Sequence, residues 1–130
     1  MILENLKEGV LYFESLGLLY ALILLVLLDY ITGVCLAAKN KAMSSQIGGA
    51  GIIRKVMIFV LVALSRVIDV YFLPVDGSLE LVTIFFYCVN ESISIVENAA
   101  KLGVPLPAKL VLFLKNVDVE HYEDDTEQES

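Results

Sequence analysis

A chain of 130 residues that is 58% hydrophobic, with a mean hydropathy of +0.77, exceeds the roughly 45–50% apolar content of soluble domains. The excess excludes an ordinary water-soluble globular domain and predicts an all-α integral membrane protein. The net charge of −7, from 16 acidic against 9 basic residues, comes with no basic aromatic surface, so no nucleic-acid partner is expected.

Residues 1–15 hold Glu4, Glu8 and Glu14 against Lys7 alone, which is not the basic start of a signal peptide. The apolar run that follows is therefore expected to remain in the membrane. About 20 apolar residues are needed to cross a bilayer as a helix, and residues 16–38, 56–75 and 81–100 each satisfy that length. Three transmembrane helices are the expectation. In the first, Asp29, Gly33 and Ala37 share a face at i, i+4 and i+8, a small-residue edge that lets another helix approach closely.

Between the first two predicted spans, Lys39, Lys41, Arg54 and Lys55 stand with no acid among them, beside Gly48, Gly49 and Gly51. This stretch reads as a bendable basic loop that suits anionic inner-leaflet lipids. The second span carries Arg66 and Asp69, and the loop after it carries Asp76 and Glu80 without a base. Basic residues stay on the cytoplasmic side, which predicts an N-terminus outside the cell and a cytoplasmic C-terminus. The third span places Thr83, Tyr87, Asn90, Glu91, Ser94, Glu97, Asn98 and Lys101 on one side at 100° per residue. A polar stripe of that length must face protein or water rather than lipid.

After the third span, "GVPLP" ends the helix through Pro105 and Pro107. Residues 106–119 then set Leu110, Phe113, Leu114 and Val117 on one face, as expected of a short amphipathic helix in the membrane interface. Residues 120–130 are acidic and aperiodic, which predicts a disordered tail.

Ionisable side chains inside a bilayer cost about 2.5–3.5 kcal/mol each at a helix centre unless paired or wet. Counted from the span ends at ~1.5 Å per residue, Asp29, Arg66 and Glu91 all lie near the midplane. Two readings follow, not mutually exclusive: a salt bridge of Arg66 with Asp29 that fixes packing, or carboxylates that line water in an oligomer. Cys35 and Cys88 sit at different expected depths and predict no disulfide, and His121 has no neighbouring ligand for a metal. No nucleophile and base arrangement or phosphate-binding loop can be read. No enzyme activity, cofactor or metal is expected.

The acid of the first span with glycine four residues on (Asp29, Gly33), the lysine-flanked link at Lys39, the Ser44 and Ser45 pair, and a glycine followed by Arg54 and Lys55 together resemble the phage holin family, which includes the clostridial toxin-secretion holins. The later "NESISIVENAAKLGVPLP" is similar to that family's Glu91, Ser92, Ser94, Glu97 and Asn98 followed by Gly103, Pro105 and Pro107. The resemblance runs from about Asp29 to Leu110, within a single membrane domain expected over residues 1–119, and implies a protein that oligomerises with itself in the bacterial cytoplasmic membrane. It further implies lesions that release a cell-wall hydrolase or a toxin. The alternative from the residues alone is a small oligomeric ion channel or transporter that uses Asp29 or Glu91 as a cation or proton site.

Overall fold

The structure, a computed structural model, describes residues 1–41, 45–72 and 78–116. Every element in it is helical: α1 (Ile2–Lys39), α2 (Ser45–Tyr71), α3 (Ser78–Lys101) and a short α4 over residues 108–116. The acidic tail expected at 120–130 lies outside the described residues, as does the end of the predicted interfacial segment.

Two helices begin earlier than the sequence suggests. α1 is 38 residues long, roughly 57 Å at ~1.5 Å per residue, because residues 2–15 contain no proline and carry three Leu and three Glu, both good helix formers. Glu4 in the first turn also complements the helix dipole. α2 starts at Ser45, inside the stretch read above as a glycine-rich loop. Glycines lower helix propensity by about 1 kcal/mol each, yet here the helix runs through Gly48, Gly49 and Gly51. The effect is to lift Lys55 about three turns into a helix.

α3 is the central element, packing against both α1 and α2. Its contacts define direction. Cys88 reaches the Leu18 carbonyl and Asn98 reaches Asp29, so α3 runs parallel to α1. Lys55 meets Glu91 and Arg66 meets Glu80, so α2 runs antiparallel to both. A small core forms where the three meet, from Leu22 and Val26 of α1, Ile58 and Val62 of α2, and Ile84 and Cys88 of α3. Cys35 is exposed and Cys88 buried, and both are free thiols.

α3 ends in a Schellman motif. Gly103 adopts φ +86°, its N–H donates to the Ala100 carbonyl, and the Val104 N–H donates to the Ala99 carbonyl. The stop is therefore set at Gly103, ahead of the prolines. The end is clamped from outside too, because Lys39 Nζ donates to the Lys101 carbonyl at 3.1 Å, placing a cation at the negative end of the helix dipole. Among the described residues, α1 and the Leu79–Lys101 stretch of α3 are long and apolar enough to cross a membrane.

Candidate functional site: two charged rungs between the helices

Polar side chains meet at two levels of the bundle. At the lower level, Lys55 Nζ donates to Asp29 Oδ2 at 2.6 Å and to Glu91 Oε2 at 2.8 Å, so one ammonium from α2 ties carboxylates on α1 and α3. All three side chains are largely shielded, with 17% of Lys55, 12% of Asp29 and 9% of Glu91 exposed. Asn98 completes the group. Its amide nitrogen donates to Asp29 Oδ1 at 3.1 Å and to Thr32 Oγ1 at 3.0 Å, while the Thr32 hydroxyl donates back to the Asp29 carbonyl at 3.0 Å. Both Asp29 oxygens are thus satisfied, as a shielded charge requires.

At the upper level, Arg66 Nη1 donates to Glu80 Oε2 at 3.0 Å. The Glu80 backbone N–H donates to Asp69 Oδ2 at 2.7 Å, so a side chain from α2 satisfies one of the donors that the start of α3 leaves open. Asp69 Oδ1 is buried without a hydrogen-bond partner among the described residues. Glu80, assigned by sequence to a loop, sits in the first turn of α3, where its charge suits the helix dipole.

The two rungs share one register. Eleven residues separate Lys55 from Arg66 on α2, and eleven separate Glu80 from Glu91 on α3. Eleven residues are close to three full turns, ~16 Å of rise, so both cations project from one face of α2 onto one face of α3. The lower rung pairs two carboxylates with one ammonium, whereas in the upper rung Arg66 pairs with Glu80 and Asp69 takes the Glu80 backbone N–H.

This corrects the expected pairing of Asp29 with Arg66. Both were placed near the midplane on the assumption that α2 begins at Val56. Because α2 begins at Ser45, Lys55 occupies the level of Asp29 and Arg66 is carried three turns further, to Glu80. The expectation that Lys55 belongs to a cytoplasmic loop fails for the same reason. The spacing shared by Lys55 and Arg66 with Glu80 and Glu91 was the sequence signal that could have found the match.

The remaining predicted residues divide by location. Gly33 lies on the α3 side of α1, where a Cβ would stand 3.9 Å from the Asn98 amide nitrogen. Ala37 and Ser94 are half-buried, whereas Asn90, Glu97, Lys41 and Arg54 are exposed. Lys39 is engaged at the end of α3. Among the described residues, the arrangement contains charge pairs that hold helices together and no reacting geometry.

Residues 9–118 match the bacteriophage holin family. The chain is 43% identical over 104 residues to a protein of Halalkalibacterium halodurans, covering 77% of each chain. It is 41% identical over 106 residues to the 14.9 kDa protein of the nagH 3′ region of Clostridium perfringens, covering 77% of this chain and 76% of that one. A protein of Bacillus phage phi105 named as a probable holin is 36% identical over 96 residues, covering 74% of this chain and 70% of the phage protein. No solved structure matches. With a match that runs from α1 to the end of α4, and with two helices of membrane-crossing length, the chain is a membrane protein that belongs to the bacteriophage holin family.

Proposed function

We propose that the protein is a holin that oligomerises in the bacterial cytoplasmic membrane and opens lesions through which a cell-wall hydrolase or a toxin leaves. Family membership supports the role, and the observation that carries the mechanism is the lower rung. There a single ammonium holds carboxylates of two different helices. Such a cluster is stable in two settings only, closed within the bundle or hydrated at the wall of an aqueous hole. A chain with this property accumulates as closed bundles, then reassembles when crowding favours contacts between copies. The polar side of α3, with Asn90, Glu91, Ser94, Glu97 and Asn98, then turns toward water.

A three-span topology fits this reading. α1 and α3 run parallel, with α2 returning between them. If α1 and α3 cross the bilayer in the same direction, α2 must cross it in the other. The basic ends of α1 and α3 support a cytoplasmic placement for both, since Lys39 and Lys41 follow the first span and Lys101 and Lys109 follow the third.

The test is induced expression in bacteria, with and without a co-expressed cell-wall hydrolase. Abrupt membrane collapse at a reproducible time, with lysis only when the hydrolase is present, is the expected result. A change in cation flux without collapse would instead identify the channel or transporter alternative, which the two carboxylates of the lower rung would serve.

A further inference from the structure

The side of α3 that meets α1 and α2 uses Glu80, Ile84, Cys88, Glu91 and Asn98. Beside it runs a second seam: Thr83, Tyr87, Asn90, Ser94, Glu97 and Lys101. Its steps alternate between four and three residues, the spacing that keeps one line of side chains facing a partner helix. In the outer half this seam is roofed by α2, whose Leu61, Leu64, Ser65 and Ile68 face Thr83 and Tyr87 across a groove of about 390 Å³. In the cytoplasmic half Ser94 is half-buried beside Asp29 of α1, whereas Asn90, Glu97 and Lys101 are exposed.

Those three residues set a requirement. Asn90 lies eleven residues from Lys101, ~16 Å deep in the membrane, and it is exposed there. Lipid tails offer its amide no hydrogen bond. Glu97 and Lys101 are one turn apart, yet among the described residues they form no ion pair with each other. All three are satisfied together by one partner, the same seam of a second copy related by a two-fold axis along the membrane normal. That symmetry brings Asn90 against the partner's Asn90, so that the two amides can exchange donor and acceptor, as polar residues do between membrane helices. The same axis sets Glu97 opposite the partner's Glu97 and Lys101 opposite the partner's Lys101, and each Glu97 reaches one turn along to the partner's Lys101, so that the two charge layers close as two equal ion pairs from one sequence.

We propose that the cytoplasmic half of α3, from Asn90 to Lys101, is the contact surface of a parallel homodimer in the membrane. The proposal depends on the membrane placement of α3 and not on lesion formation, so it can stand if lysis fails to appear.

The experiment uses the full chain in membranes before collapse, with Cys35→Ser and Cys88→Ser as background. Single cysteines at Asn90 and Glu97 should yield disulfide-linked dimers under mild oxidation, whereas cysteines at Val89 and Val96, which lie off the seam, should not. Equal dimer at all four positions, or none at Asn90 and Glu97 at normal membrane abundance, would overturn the proposal. So would rapid reaction of the Asn90 cysteine with a water-soluble maleimide, which would make water the occupant. Charge exchange gives a second reading that needs no cysteine. Glu97→Lys and Lys101→Glu should each diminish a chemically cross-linked dimer, and the two together should restore it. Failure of the double change to restore it, with both singles reduced, would exclude the paired seam.

Discussion

Lys55 is the side chain on which the lower rung depends, because it alone is shared. Lys55→Gln leaves Asp29 and Glu91 facing each other without a cation, and breaking a buried ion pair from one side commonly costs about 3–5 kcal/mol. Asp29→Asn retains the contact of Lys55 with Glu91 and should cost less, about 1.5–3 kcal/mol for a hydrogen bond to a charged group. Unfolding in mixed micelles would rank the two, and the order Lys55 above Asp29 is the expected outcome. A double-mutant cycle separates the observed partner from the one expected by depth. Asp29→Asn combined with Lys55→Gln should be non-additive, whereas Asp29→Asn combined with Arg66→Gln should add to within about 0.5 kcal/mol, since the two groups lie on different rungs. Coupling in the second pair would contradict the rung assignment. Gly103 is the other residue whose identity the backbone dictates. At φ +86°, Gly103→Ala should lose about 1–2 kcal/mol, and Gly103→Asn less, because asparagine tolerates this region.

Between elements, the shared spacing of the rungs makes register a measurable property. One alanine inserted after Leu61 leaves Lys55 in place but turns Arg66 by about 100° relative to it. Only one rung can then form, and membrane abundance should fall. The control is an insertion of similar size before Ser45, upstream of both cations, which should be tolerated. Much of this level was legible in sequence. The three apolar runs locate the helices, and the depths of Asp29 and Glu91 correctly bring them to one level. The helix starts were less legible. Residues 2–15 mix charges with apolar residues and so resemble a solvated segment, and the glycines at 48, 49 and 51 argue for a loop. Both segments are helical, and the error in the second carried forward into the wrong cation for Asp29. Propensity is a local quantity, while the start of α2 is fixed by contacts at Lys55 and Arg66 that lie further along the chain.

For the whole molecule, the contacts fix the relative directions of the helices, and the proposed topology adds a testable orientation. A cysteine replacing Ser78, at the start of α3, should react with a membrane-impermeant thiol reagent added to intact cells. One replacing Ser45, at the start of α2, should react only after the cells are opened. The reverse result would turn the bundle over in the membrane while leaving its internal contacts intact.

The order in which the rungs are completed has a consequence for synthesis. α1 is made first and carries Asp29 toward the bilayer before its partner Lys55 has been made, at a cost of about 2.5–3.5 kcal/mol. Its leucines, valines and isoleucines must outweigh that cost, each returning about 0.3–0.6 kcal/mol near the helix centre, which accounts for an uninterrupted run from Leu22 to Leu28 immediately ahead of the acid. Lys55 arrives with α2, and Asn98 only when α3 is nearly complete. A nascent chain arrested before α3 therefore holds an ammonium and a carboxylate with no central helix to seat them, and quality-control proteases would meet their substrate at that stage rather than after the bundle has closed.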